Sequence, residues 1–200
     1  MGQVLESHAK KGTEVFDELI KEDVNDKAFK WSLVIDMKEA DGISMVIHKR
    51  PMEGKSINLT RSNIIMRNIK IQTWKNFINN YDKHIKDMDK KNKIVEFKWL
   101  ENKPEEGYWL MYSVSKMGSL ASDRENLIEM TLHELDEKKF IYISKTVERD
   151  DVPVKAGCVR MEIFKATHVE QVGEDIELTE FSNFDLKGYF PSSLFNMVMA

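Results

Sequence analysis

The chain has 200 residues, of which 42% are hydrophobic and 32% are charged, and its formal net charge is −4. This composition is typical of a soluble globular protein and argues against a disordered or membrane-spanning chain. A sequence pI near 5.8, without a sustained basic face, argues against nucleic-acid binding. The first residues lack the apolar core of a signal peptide, so we expect a cytoplasmic protein.

The first third of the chain predicts one helix followed by three strands. Apolar side chains recur at helical spacing from residue 13 to residue 20, which predicts a helix that docks on a core. Four of them share one face: Val15, Phe16, Leu19 and Ile20. Three strand-like runs follow, at residues 31–38, 43–49 and 56–66. Asp41-Gly42 lies between the first two runs and is a strong hairpin signal.

The rest of the chain predicts a helical block, six strands and a final helix. The helical block covers residues 69–87, where apolar side chains recur every three or four positions. The predicted strands are 93–100, 107–116, 124–134, 138–147, 157–168 and 175–185. Pro191 suits the first turn of a helix over 191–200. Strand runs joined by short turns predict an α+β fold with an antiparallel sheet of about nine strands, in a single domain over residues 1–200.

Several short motifs in the last third of the chain occur in a recognisable order. They are the run GCVRME with Arg160 and Glu162, the run TEF ending at Phe181, the turn DLKGYFP from Asp185 to Pro191, and LFN from Leu194 to Asn196. Asp123 and Arg124 stand upstream of them. In this order and spacing, the motifs resemble those of the StAR-related lipid-transfer (START) domain family.

The resemblance implies a helix-grip fold, in which a curved antiparallel sheet wraps a C-terminal helix and leaves an internal cavity for one lipid. Strand alternation places Trp109 with Met111, and Asn126 with the apolar residues that follow it at every second position. With one residue from the final helix, the expected ligand-binding residues are Trp109, Met111, Asn126, Ile128, Met130, Leu132 and Phe195. The chain's twelve methionines suit a cavity of adaptable shape, or equally an ordinary core.

Departures from the family pattern concern the lipid head group. Met111 and Met130 stand where sterol-handling members carry an acidic residue and an arginine. Asn126 stands where phosphatidylcholine-binding members carry an aromatic residue. The resemblance therefore implies a lipid, phospholipid or sterol, without choosing between them, and we expect a more apolar cavity than in either group.

The chain ends about ten residues after Pro191, sooner than the family's last helix normally does. Two interpretations stay open: the sequence stops within that helix, or the natural helix is short. The turn at 148–156 and the helix from Pro191 are the expected exit for a lipid. Phe195 and its apolar neighbours would then make transient contact with a membrane surface.

The sequence predicts no catalytic residue, metal site or cofactor. Cys158 is the single cysteine, and the five histidines lack the spacing of metal ligands. Arg160 and Glu162 are expected on the outer face or rim of the sheet, away from any pocket. We therefore predict lipid binding and transfer between membranes by a protein that is not an enzyme. The alternatives are a lipid-sensing regulatory module and, less favoured, a helix-grip enzyme that acts on a hydrophobic substrate.

Overall fold

The computed structural model describes residues 13–53, 57–85, 94–119 and 121–188. Within these ranges, helix α1 covers residues 13–19, α2 is Ile71–Asn79 and α3 covers residues 81–85. The first five strands are β1 Ser32–Ala40, β2 Ile43–Pro51, β3 Asn58–Met66, β4 Ile94–Lys103 and β5 Tyr108–Ser115. The other five are β6 Asp123–Asp136, β7 Lys139–Thr146, β8 Cys158–Arg160, β9 Glu162–Val172 and β10 Asp175–Asp185. The predicted C-terminal helix at 191–200 lies outside the described residues.

Nine strands are hydrogen bonded in the order β1-β2-β3-β10-β9-β7-β6-β5-β4, and β8 pairs with β6. The pairs β1–β2, β2–β3, β3–β10 and β4–β5 are antiparallel. The predicted α+β fold with an antiparallel sheet is therefore confirmed, with ten strands instead of about nine. The hairpin at Asp41-Gly42 is also confirmed. Both residues have positive φ, 52° and 76°, as a type I′ turn requires.

The additional strand arises because the predicted strand 157–168 is divided at Met161. Its first part, β8, runs parallel to the start of β6, with Arg160 opposite Glu125. The backbone N–H of Met161 donates to the carbonyl of Glu125 at 3.0 Å, and its carbonyl accepts from Thr146 Oγ1 at 3.1 Å. Met161 is thus held between two neighbouring strands, and the chain leaves β6 before β9 begins.

The chain divides into two compact units. The first unit comprises residues 1–79, 131–144 and 164–183, and the second comprises residues 80–130, 145–163 and 184–200. The prediction of one domain over residues 1–200 stays a prediction.

An apolar cluster forms the core of the first unit. Its buried members come from α1, β3, β7, β9 and β10: Phe16, Leu59, Ile141, Ile143, Ala166 and Phe181. The ring of Phe181 lies edge-on to Phe16 at 5.6 Å, and the guanidinium of Arg61 lies 5.5 Å from its centroid. Phe181 therefore joins α1 to the sheet.

Helix α1 docks on this core, as predicted, but through fewer side chains than the sequence indicated. Phe16 is buried and Leu19 is packed against the cluster. Val15 and Ile20 are exposed, so their predicted place on the docked face is wrong. A helix of seven described residues presents only a narrow stripe to a sheet, and one turn of apolar residues fills it.

We expect Phe181→Ala to destabilise the protein by about 3–5 kcal/mol, because it removes a fully buried ring and leaves a cavity. Phe184→Ala, on the same strand but 41% exposed, should cost less than about 1.5 kcal/mol. Urea unfolding followed by tryptophan fluorescence measures both. Equal losses in the two variants would contradict the assignment of Phe181 to the core.

Candidate functional site

In the second unit, strands β4 and β5 and the first part of β6, up to Met130, present a common face that is mainly apolar. Residues directly opposite each other in a strand pair share a face, and Trp99 lies opposite Met111. The side-chain amide of Asn126 donates to Ser113 Oγ at 3.2 Å, which places both on that same face. With strand alternation, the apolar face comprises Phe97, Trp99, Trp109, Met111, Ser113, Asn126, Ile128 and Met130.

The structure brings five of the seven predicted ligand-binding residues onto the apolar face. Each of the five is less than 9% exposed: Trp109, Met111, Asn126, Ile128 and Met130. Leu132 is half-buried further along β6, and Phe195 lies outside the described residues. Phe97 and Trp99 were not among the predicted ligand-binding residues. Their alternation with Lys98 in the predicted strand 93–100 could have placed them on the apolar face.

A cavity of about 430 Å³ lies between α3 and β4. Its lining includes Ile85, Phe97 and Trp99, together with neighbouring residues of β4. Phe97 contacts Trp99 edge-on at 5.1 Å, and the ring of Tyr81 lies 6.3 Å from Phe97. Ligand pockets typically have volumes of about 300–1,000 Å³ and mainly apolar walls. This cavity has the volume of a small-molecule site, but its lining also includes the charged residues Asp82, Glu96 and Lys98, and none of the predicted ligand-binding residues is among the described residues that line it.

The opposite face of the same strands carries a buried ion pair. Glu125 is fully buried, and its carboxylate lies 2.7 Å from the guanidinium of Arg160. The hydroxyl of Tyr112 donates to it at 2.9 Å, and the backbone N–H of Lys155 donates at 3.0 Å. Arg160 therefore lies on the face opposite the apolar face, as expected, but it is buried there instead of exposed. Burial is tolerated here because the carboxylate compensates the arginine charge.

This ion pair also holds the turn at 148–156, the first of the two expected exits. Arg160 donates to the backbone carbonyl of Val152 at 2.9 Å. Lys155 donates to Glu125 from the same turn, and its side chain lies 2.6 Å from Glu96. The contacts of Lys155 with Glu96 and Glu125, and of Val152 with Arg160, thus fix the turn to β4, β6 and β8.

The family-like motifs meet near the end of β10. Arg124 is fully buried and donates to the backbone carbonyls of Leu186 and Lys187, at 2.7 Å and 3.0 Å. The Lys187 ammonium lies 2.6 Å from Glu162, which follows the division at Met161. These motif residues therefore stabilise the fold, and they contact one another instead of the apolar face.

The described residues contain no group of three or more potential metal ligands. None of the helices in the described ranges is long and apolar enough to cross a membrane.

The fold is that of StAR-related lipid-transfer proteins. Human StAR-related lipid transfer protein 5 matches the whole of this chain and 90% of its own, with a TM-score of 0.71 and 16% identity. A STAR-related lipid transfer protein fragment from Xanthomonas axonopodis matches 84% of this chain and 89% of its own (TM-score 0.65, 18% identity). Human STARD10 matches 92% of this chain and 70% of its own, with a TM-score of 0.67 and 13% identity. No family model matches the sequence, and no curated protein sequence matches it.

We expect Glu125→Gln to destabilise the protein by about 3–5 kcal/mol, because it removes the buried carboxylate that compensates the Arg160 charge. Glu148 is the matched control, since it contacts the same guanidinium at 3.1 Å but its side chain is 78% exposed. Glu148→Gln should cost less than about 1 kcal/mol. Guanidinium chloride unfolding measures both variants, and similar losses would contradict the dominant role of Glu125.

The pH dependence of stability should report on Tyr108. Burial, followed by the nearby Glu129 carboxylate, raises the pKa of Tyr108 to about 12. An unfolded tyrosine ionises near pH 10, so the folded state binds the proton more tightly between these values. The free energy of unfolding should therefore fall as pH rises from about 10 to about 12. Tyr108→Phe should reduce this slope in unfolding measurements across that range, and an unchanged slope would contradict the assignment.

Proposed function

We propose that this protein binds one lipid molecule, a phospholipid or a sterol, in an internal cavity and transfers it between membranes. The observation that carries the proposal is the shared fold with lipid-transfer proteins at TM-scores of 0.65 to 0.71. The buried apolar face of β4–β6 supports it, because an apolar ligand needs such a surface.

Burial of acyl or sterol carbon supplies the binding free energy, at about 0.8 kcal/mol per methylene. Met111 and Met130 have flexible side chains, which adapt to a ligand of variable shape. The proposed ligand-binding residues are Trp109, Met111, Asn126, Ile128, Met130, Leu132 and Phe195. Phe97 and Trp99 join this set because they share the apolar face with Met111 and Ser113.

We propose that the protein transfers the lipid without changing it chemically. Among the described residues on the apolar face, the polar side chains are one amide, one hydroxyl and two indoles, and none is a general acid or base near neutral pH. We also propose that the protein works in the cytoplasm and contacts membrane surfaces transiently, through the segment that contains Phe195.

Ile128→Trp should reduce lipid binding and transfer by about tenfold or more, because an indole would occupy space that the ligand needs. Leu135→Trp, on the same strand but 53% exposed, is the matched control and should change neither. Native mass spectrometry counts lipids per protein, and fluorescence dequenching follows transfer between vesicles.

Chromatography of the recovered lipid completes this experiment. One bound lipid per wild-type chain and chemically unchanged product are the expected results. Lipid-free protein under all loading conditions, or a time-dependent hydrolysis product, would contradict the proposal.

A further inference from the structure

Strand β1 of the first unit carries three consecutive exposed apolar side chains near its start. Leu33, Val34 and Ile35 are 58%, 48% and 39% exposed, and Phe29, just before the strand, is also exposed. None of the other exposed large apolar side chains in the described chain adjoins another in sequence. Single exposed apolar side chains are common on soluble proteins, whereas a contiguous group marks an interaction surface. We call Phe29, Leu33, Val34 and Ile35 the β1 strip.

The backbone of β1 is poorly suited to pair with a strand of another molecule. The strand stands at one end of the strand order, with β2 as its neighbour. Its register with β2 shifts between Leu33 and Ile35 and again between Met37 and Ala40. Such bulges interrupt the row of outward backbone groups, and edge strands use them to avoid pairing with other chains. The β1 strip therefore suits a partner that accepts apolar side chains without requiring a regular strand.

Lysines that have no ion pair within the described residues surround the β1 strip. Lys27 and Lys30 lie in and directly after a 3₁₀ turn that precedes β1, and Lys49 lies opposite Ser32. Lys38 lies at the second register shift. Elsewhere in the first unit, acidic side chains contact four lysines: Lys70, Lys75, Lys139 and Lys165. Most of the unpaired positive charge in the described part of this unit is thus beside its exposed apolar side chains.

Trp31 fixes the segment that carries the strip to the core of the first unit. Its ring lies 6.4 Å from that of Phe181, and the guanidinium of Arg50 lies 5.3 Å from its centroid. Its indole N–H donates to Glu22 at 3.0 Å, and Glu22 also forms an ion pair with Arg50 at 2.8 Å. A preorganised surface loses little conformational entropy when it binds. The exposed side chains on either side of Trp31 are therefore held in place before any partner arrives.

We infer that the β1 strip and its lysines dock on the surface of an anionic lipid bilayer. Apolar side chains insert into the interface of a bilayer, and lysines beside them are attracted to anionic headgroups. A bilayer also requires no regular strand, which the bulged β1 does not offer. Within β1, Glu39 contacts Arg67, which leaves Asp36 to offset part of the lysine charge.

The inference rests on the proposed function and deepens it, because transfer between membranes needs a surface that reaches them. It adds a membrane-facing surface in the first unit to the segment that contains Phe195, and it names anionic membranes as the partner.

The test measures binding of the full-length protein to vesicles by co-sedimentation. The vesicles contain dioleoylphosphatidylcholine alone or mixed with dioleoylphosphatidylserine. We expect binding to the mixed vesicles to be about tenfold tighter at low salt, and the preference to fall as salt screens the lysines. Lys30→Glu should remove most of this preference. Lys138→Glu is the matched control, because Lys138 is exposed and also lacks an ion pair in the described residues, and it should retain the preference.

A second pair of variants tests the apolar side chains. The double variant Leu33→Ser and Val34→Ser should weaken binding to mixed vesicles by about tenfold, because it removes two side chains that insert into the bilayer. Leu135→Ser with Val172→Ser is the matched control, since Leu135 and Val172 are 53% and 44% exposed in the same unit. All four side chains are exposed, so thermal unfolding should show both variants folded like wild type.

Equal losses in the two double variants would overturn the inference. Equal binding of the wild type to both kinds of vesicle, or no binding to either, would also overturn it. A dimer detected by light scattering and lost in the Leu33→Ser, Val34→Ser variant would assign the strip to a second copy instead. Native mass spectrometry of the same proteins separates this inference from the proposed function. A bound lipid with unchanged docking of the strip variant leaves the proposed function standing alone, whereas impaired docking without any bound lipid refutes the proposed function and keeps the docking surface.

Discussion

The buried pair of Glu125 and Arg160 is the constraint on which the second unit depends. Both side chains are almost completely removed from water, at a desolvation cost that one ion pair rarely recovers. Three further hydrogen bonds, from Tyr112, from the Lys155 backbone and to the Val152 carbonyl, satisfy the remaining polar atoms. Each of these bonds also fixes the position of an element. The pair therefore sets where β8 lies and where the turn before it lies.

The same pair determines which residues face the candidate site. Successive side chains of a strand point to opposite faces, so burial of Glu125 on one side directs Asn126 to the other. A slip of β6 by one residue would put a carboxylate on the apolar face and an amide against Arg160. The register of β6 therefore determines both the position of the Glu125–Arg160 pair on one face and the apolar surface on the other.

This arrangement changes how the turn at 148–156 is understood. The sequence led us to expect that it forms part of the exit for a lipid. In the structure, displacement of the turn would remove the Lys155 N–H from Glu125 and the Val152 carbonyl from Arg160. Both losses leave buried charged groups less well satisfied, which is costly. The turn is therefore a stabilising part of the second unit, whatever path a ligand takes.

Within the described residues, the sequence by itself determined the order of helices and strands apart from the division at Met161, the Asp41-Gly42 turn, and the alternation that groups Trp109 with Met111 and Asn126 with Ile128. These features depend on local backbone preference and on a period of two residues, which a single chain displays directly. Only the tertiary structure decided that Arg160 is buried, that the strand divides at Met161 and that Trp99 shares a face with Met111. Each of these depends on a partner far away in the chain, and Glu125 and Arg160 are 35 residues apart. A sequence shows which side chains are charged or apolar, but whether a charge can be buried depends on a partner that folding brings to it.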